Sequence, residues 1–584
     1  IWKNFMKLVF DIETDGLNAT KIWCIVAKDL DNNQVYGFPP DQIDQGIELL
    51  EEADLLIGHN ILGFDIPVLK ELTDINFDNK KIIDTLVLSR LAKPERDGHG
   101  LEAWGYKLNR HKGLMEERDF DHYTPNMLDY CINDVELNSL VFDNVIKELD
   151  GFDTKSIKIE HDVSHILKEQ ERYGFLFDSY KGEMLLAKLN ERKTIIEDEV
   201  QEVFKPKKVK IKTVVPKFKN DGKLSKQGLT EEEYNCLSTQ PVSRVLAFDR
   251  YKIQEFNLAS RKQIGEYLQE FGWKPKKFTP TGQPIVDEGT LKNVKDIPEA
   301  QLIAEFLLLQ KRIAQVSSWF KHLGSDNRVH GFVIPNGAIT GRMAHVKPNM
   351  AQVPSINNPY GKECRECWII PNEYKLVGID ASGLELRMLA HYMNDKEFTN
   401  EILTGDIHTA NQKLAGLESR NQAKTFIYAF IYGAGDAKLG SVVGRSRKDG
   451  KILRQRFLTN LPALATLKDK VERAARRGYL KGLDGRHISV RNEYSALNTL
   501  LQSAGAIVMK QGLIKLHDKI KEDIIDAHFV ANIHDEWQIE VYERHACIVG
   551  ELGVQCIREV ADDFHLRCPL DGEYSIGDNW SETH

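Results

Sequence analysis

The chain has 584 residues, enough for about three to five domain-sized units at roughly 100–200 residues each. Hydrophobic residues make up 42% and charged residues 28%, with 41 Gly and 19 Pro; collagen-like and low-complexity classes are excluded. The net charge of -9 taken alone argues against a nucleic-acid binder, yet nine lysines and one acid lie between Lys205 and Lys226, and a local basic surface of that kind binds phosphate. No stretch approaches about 18 uninterrupted apolar residues, so no transmembrane helix is expected. Residues 1–10 lack the pattern of a signal peptide; Met6 reads as a natural start, and Ile1–Phe5 are set aside from the fold argument. The eight cysteines are scattered, which fits a reducing compartment. Cys364 and Cys367 form one CxxC without a second Cys or His pair at zinc spacing, so they read as ordinary loop cysteines.

In chain order, the first 150 residues or so alternate strands and helices. Strands are predicted at Leu8–Glu13, Ile22–Val26 and Asp54–Gly58, helices at Ile61–Leu72 and Met127–Leu149, an α/β pattern. A long helical stretch is predicted over Lys158–Leu189 and another over Ala300–His322. Between them Val209–Lys212 alternates like a strand, and Asn220-Asp221-Gly222-Lys223 reads as a turn. From about Arg328 strands (Lys375–Asp380, His528–Ile533, Trp537–Val541) mix with helices (Ala381–Met393, Arg420–Tyr432, Ala496–Lys519). No internal repeat is evident.

The first constellation of chemical residues lies in the first block. Asp11 and Glu13 are two apart on a strand and so share a face, about 6.5–7 Å apart. Two acids projecting inward from an apolar strand are costly unless a cation holds them, and oxygen ligands suit Mg²⁺. Solvated acids on a surface strand are the plainer alternative for this pair alone. Asp65 falls at a helix start after a strand, and Tyr130 and Asp134 are four apart on one helix face. Acids from these three elements can converge on two metals about 3.5–4 Å apart, the arrangement for metal-activated water attacking a phosphodiester, with Tyr130 orienting the water.

The second lies in the C-terminal block. Asp380 ends a strand, and Asp535 and Glu536 occupy a turn between two apolar strands; two carboxylates plus substrate phosphates suit Mg²⁺. Taken alone, Asp380 reads equally as a helix N-cap. Arg420, Lys424 and Tyr428 are spaced i, i+4, i+8 on one helical face, two cations beside an aromatic, which fits a triphosphate or, more plainly, a solvated basic face.

Asp11, Glu13, Asp65, Tyr130 and Asp134 together resemble the DEDD 3′→5′ exonucleases of the tyrosine subclass. Asp380–Arg387, Arg420–Gly433 and His534–Glu536 resemble, in order, motifs A, B and C of the family A DNA polymerases. The stretches Leu101–Tyr106, Gly378–Arg387, Ala423–Tyr428 and Leu497–Ala506 are similar to the replicative family A enzymes of short-tailed phages, and the likeness runs from about Lys7 to the C-terminus, weakest at Lys205–Glu255.

The resemblance implies an α/β, RNase H-like exonuclease domain (6–150) followed by a right-hand polymerase. Thumb and connecting helices would span 151–325, with a short Lys-rich insertion at about 205–255; the palm would be 326–395 and 496–584, the fingers 396–495. It implies two Mg²⁺ per site, with Mn²⁺ as a substitute. Asp11, Glu13, Asp65 and Asp134 would hold one pair, Asp380, Asp535 and the Ala381 carbonyl the other, with Glu536 in support. Arg420, Lys424 and His408 would hold the incoming dNTP. Glu385 and Tyr428 would pack against the sugar and exclude a 2′-hydroxyl, and Tyr428 in place of Phe resembles enzymes that accept dideoxynucleotides. Tyr432 and Gly435 would shape the template-base pocket. Arg342, Gln352, Asn498 and Gln502 would contact the primer–template minor groove, whose acceptors are nearly the same for every base pair. Lys207, Lys208 and Lys210 would meet the DNA backbone.

In the phage family the thumb insertion captures host thioredoxin; here it is shorter, and that partner is left open. The exonuclease block is likewise short between Leu91 and Leu101, and with so few residues before Asp11 a 5′-nuclease activity is not expected. A monomer acting with a replicative helicase–primase, in the cytoplasm of an infected bacterium and away from membranes, is the implied setting. The competing readings are a 3′→5′ processing nuclease whose C-terminal half only grips DNA, a non-enzymatic DNA scaffold, and an RNA polymerase, which Glu385 with Tyr428 disfavours.

Overall fold

The computed structural model describes residues 6–77, 80–113, 115 and 120–583. It divides into two compact units, residues 180–321 and the remainder. Among the described residues, no helix is long and apolar enough to cross a membrane.

The N-terminal block is a five-stranded sheet with helices against it. Its strands are β1 (Lys7–Thr14), β2 (Ile22–Asp29), β3 (Val35–Phe38), β4 (Leu55–Gly58) and β5 (Lys81–Asp84), in the order β3-β2-β1-β4-β5. β1 to β3 pair antiparallel, and β1, β4 and β5 pair parallel. The short run Val35–Phe38 and the half-polar Lys81–Asp84 carry too little hydrophobic pattern to announce themselves in sequence. Helices α1 (Ile43–Glu52), α2 (Asp65–Leu72), α3 (Thr85–Ala92), α4 (Leu101–Leu108) and α5 (Pro125–Glu148) complete the block. Thr124 caps α5 through its side chain, and Pro125 opens it, where proline's missing N–H costs nothing. The face of α5 that carries Met127, Cys131, Val135 and Val141 packs on the same core as Val9, Val26 and Ile57 of the sheet.

Three predicted helices have different bounds. α2 starts at Asp65, not Ile61. Residues 59–64 form a turn in which Asn60 has φ +65°, and the Asn60 and Leu62 N–H groups donate to the Asp84 carboxylate at 2.9 and 3.2 Å. The predicted helix 158–189 is two helices, Thr154–Tyr173 and Ser179–Val203. They are broken at Gly174, whose φ of +72° ends an α-helix and suits glycine. Ala381 closes a strand rather than opening a helix; the next helix is Leu384–Met393.

The C-terminal block centres on an antiparallel sheet of four strands, in the order Ala527–Ile533, Glu536–Tyr542, Tyr374–Ala381, Gly572–Gly577. The 27-residue helix Ala496–Glu522 packs against helices Thr154–Tyr173, Leu384–Met393 and Ala546–Asp563. One continuous apolar core joins the sheet to the helical segment 396–475. The C-terminal tail is part of this core. Gly378 lies so close to it that a Cβ would fall 2.4 Å from the Thr583 carbonyl.

In the unit 180–321, helices Ser179–Val203, Arg261–Glu270 and Pro298–Phe320 accompany an exposed hairpin of Lys207–Val214 with Phe248–Gln254. The predicted turn at 220–223 is present, closed by Gly222 N–H to Lys219 O at 2.9 Å.

Candidate active sites

The first site sits where β1, α2 and α5 meet. Asp11 and Glu13 project from β1. Asp65 opens α2, and its Oδ1 accepts the Ile12 N–H at 3.2 Å. Tyr130 and Asp134 lie one turn apart on α5. Asp65, Asp134 and Glu13 are buried, at 3%, 2% and 9% exposure. Charge gathered without solvent raises proton affinity. Burial, then Asp65, Glu13 and Asp134, hold Asp11 well above the carboxylate range. Burial, then Asp134, push Glu13 to about 8, and burial pushes Asp65 to about 7. Among the described residues, Asp134 Oδ1 is buried with no hydrogen-bond partner. Four crowded acids and an orphaned oxygen are what a pair of hard cations would satisfy, so the residues fit Mg²⁺.

Two residues here were not singled out from the sequence. Lys112 places Nζ 2.8 Å from Asp134 Oδ2 and 5.1 Å from the centre of the Tyr130 ring. Burial works against its charge, but Asp134 outweighs that and raises its proton affinity overall. Cys131 lies with Asp11 and Glu13 in one group of ligand-type atoms, all within 4.8 Å of one another. Burial holds its thiol protonated, and Sγ lies 3.6 Å from the Asp11 carbonyl and 3.7 Å from Oδ2. It acts as a packing and donor group, not as a ligand for a hard cation. Position 131, beside Tyr130, was the only hint in the sequence.

The second site is at one end of the four-stranded sheet. Asp380 is the register partner of Glu536, and the Ala381 N–H donates to the Asp535 carbonyl at 3.0 Å. The strands 527–533 and 536–542 turn through His534, whose φ is +57°, and that tight turn presents Asp535. Burial, then Glu385, push Asp535 up. Glu536 is buried and accepts from Trp580 Nε1 at 2.8 Å and Gln538 Nε2 at 2.5 Å. The tail thus fixes the acid beside Asp535, a role for Trp580 that its distance in sequence concealed. An acid at a strand end, another in the adjoining turn and the Glu385 carboxylate near it again fit hard divalent cations.

Around them, Glu385 Oε1 accepts from Arg342 Nη2 at 3.1 Å and Tyr432 Oη at 3.4 Å. Tyr428 is half-buried; burial, then Glu385 and Asp535, raise its proton affinity. Its ring centre is 6.4 Å from Tyr432 and 6.1 Å from His408. Arg420, Lys424 and Tyr428 lie along helix Arg420–Ile431, with Arg420 and Lys424 exposed. Gly435 is the N-terminal flank of helix Asp436–Val442. Asn498 and Gln502, on helix Ala496–Glu522, bond side chain to side chain at 3.0 Å, and Gln352 ends a short 3₁₀ turn. Lys207, Lys208 and Lys210 are on the hairpin of the other unit. Lys207 pairs with Glu270 at 2.6 Å, Lys210 pairs with Asp249 at 2.7 Å, and Lys208 lies 4.9 Å from the Tyr251 ring.

The antiparallel sheet thus ends in paired acids, and a helix carrying Arg420, Lys424 and Tyr428 brings Tyr428 near Asp535. The family model of DNA polymerase family A matches residues 241–582. The chain is 34% identical to the "DNA-directed DNA polymerase" of Enterobacteria phage T3, with 99% of this chain and 100% of that protein covered. The counterpart of Escherichia phage T7 is likewise 34% identical at the same coverage. The T3 alignment runs over 706 positions, more than the 584 residues present here, so the relative carries insertions that this chain lacks. In fold, the chain is similar to the POL domain of Pol1 from M. smegmatis, solved with DNA primer-template and dNTP. The TM-score is 0.78 at 18% identity, over 100% of this chain and 97% of that one. The chain belongs to DNA polymerase family A.

Proposed function

We propose that this protein is a phage-type, DNA-directed DNA polymerase that extends primer–template DNA from dNTPs at the second site and removes mispaired 3′ ends at the first. The observation that carries the reading is the simultaneous presence of both carboxylate sets in one chain, each assembled from separate elements. Asp380, Asp535 and the Ala381 carbonyl would hold two metal ions, and the chemistry such ions would supply is activation of the primer 3′-hydroxyl and neutralisation of phosphate charge. Arg420, Lys424 and His408 grip the triphosphate, Arg420 as a planar fork and Lys424 as a point charge. Glu385, held by Arg342 and Tyr432, narrows the space beside Tyr428 so that a ribose 2′-hydroxyl is excluded by its bulk. Arg342, Gln352, Asn498 and Gln502 read minor-groove acceptors common to all base pairs, a check of shape without sequence.

At the first site Asp11, Glu13, Asp65 and Asp134 are the metal-holding set, and Tyr130 orients the attacking water. The exonuclease fold is RNase H-like, the polymerase a right hand with palm 326–395 and 496–584, fingers 396–495 and thumb 151–325. The Lys-rich hairpin meets the DNA backbone. The reading places the protein in the cytoplasm of an infected bacterium, beside a helicase–primase; the shortened insertion leaves no specific support for thioredoxin. The test is steady-state incorporation of single dNTPs opposite each template base by the purified protein with Mg²⁺. Template-directed incorporation is the expected result, and primer shortening alone would instead favour the processing nuclease.

A further inference from the structure

We propose that Asp406 is a positioning residue for the incoming triphosphate, holding Arg420 and His408 in one fixed relation. This rests on the reading that Arg420 grips that triphosphate. The Asp406 carboxylate bonds two elements at once. It caps helix Ile407–Ala415, Oδ1 accepting the His408 and Thr409 N–H groups at 3.1 and 3.4 Å. Its Oδ2 accepts the Thr409 hydroxyl at 2.8 Å and Arg420 Nε at 2.6 Å. Helix 407–415 carries His408, and Arg420 opens the next helix, so one side chain ties the start of both.

The choice of atom matters. An arginine held through Nε still has its two terminal amino groups for a second acceptor, in the plane that matches a phosphate. Two bonds to backbone N–H and one to a hydroxyl fix the carboxylate's own rotamer, so the guanidinium is aimed before the nucleotide arrives. The side chains of Asp406 and Arg420 are 42% and 52% exposed, and an exposed ion pair adds little to stability. A carboxylate next to a triphosphate's seat also repels the ligand. Both points favour orientation as the role of the contact.

Asparagine separates the two functions. It caps a helix as well as aspartate does, but an amide has one acceptor oxygen, so either the backbone N–H groups or Arg420 Nε would face an N–H₂. With the full chain on a primer–template, Asp406→Asn is expected to raise KM for the correct dNTP about tenfold, the effect of losing one charge-assisted bond. kcat should stay within about twofold, with primer–template affinity and Tm unchanged. Asp406→Ala should raise KM similarly and also lower Tm. In an Arg420→Ala background, itself raised in KM, Asp406→Asn should add nothing. If Arg420→Ala raises KM but Asp406→Asn leaves it unchanged, or lowers it, the positioning role is overturned while the triphosphate reading stands. An unchanged KM in Arg420→Ala would overturn both.

Discussion

Glu13 and Asp65 show at the scale of single residues what gathering buried acids demands of the chain that does it. Their carboxyls are held protonated up to about 8 and about 7, against about 4 when unfolded. The metal-free folded state binds more protons than the unfolded state between those limits. Its stability therefore falls as pH rises from about 4 towards 7–8. In excess chelator, the Tm of the wild type should fall across that window relative to Asp65→Asn, which has no charge to bury. Excess Mg²⁺ should restore it near pH 8, since ligand binding to the folded state alone stabilises. Parallel pH curves for the two proteins would contradict this. At the second site the proposed function makes Glu385 the residue that selects the sugar. Glu385→Ala should raise rNTP use relative to dNTP by about 10–100-fold in kcat/KM, the scale on which one polar contact or methylene-sized space discriminates. Unchanged selectivity would remove Glu385 from sugar recognition. The acids themselves were legible because each lies in a local motif. Lys112, Asp406 and Trp580 were not, because their roles depend on partners 22, 14 and 44 residues away that only the fold brings near.

At the scale of elements, hydrophobic runs located β1, β2, β4 and three strands of the four-stranded sheet to within three residues at each end, while the fourth, Gly572–Gly577, was not predicted. The errors were at junctions. Gly174 and Asn60 break helical patterns through backbone conformation, which periodicity does not register, and Ala381 continues a strand because its N–H is bonded to Asp535. The Lys-rich hairpin carries a prediction of its own. A two-stranded hairpin exposed on both faces is marginal by itself, and Lys207 and Lys210 already pair with acids, so only part of its charge is available. Deleting the hairpin should lower the salt slope of primer–template affinity by about 3–5, given roughly 0.9 per phosphate contact. An unchanged slope across a salt series would assign the lysines to solvent.

At the scale of the whole molecule, the N-terminal and C-terminal blocks are joined by buried polar contacts. His161 Nε2 accepts the Asp84 N–H at 2.9 Å, and Asn336 Nδ2 donates to the Arg90 carbonyl at 2.9 Å. Glu160, the residue next to His161, centres a buried ionic network: it takes Lys510 Nζ at 2.5 Å and Arg486 Nη1 at 2.6 Å, and Asp484 takes Arg486 Nη2 at 2.6 Å. Removing one partner from a buried network strands the others. Glu160→Ala should cost about 3–5 kcal/mol, read as a fall in the denaturant midpoint, and the double variant Glu160→Leu/Lys510→Met should recover part of it. A cost within about 0.5 kcal/mol, the range of ordinary surface changes, would show the network to be dispensable.

The proposed function requires one chain to house two independent phosphoryl-transfer sites. A 5′-labelled primer–template incubated with Mg²⁺, with and without dNTPs, tests it on one gel with the wild type, Asp380→Ala and Asp11→Ala. Asp380→Ala is expected to abolish extension while shortening persists, and Asp11→Ala to abolish shortening while extension persists. Loss of both activities in either variant, or no extension by the wild type, would contradict it.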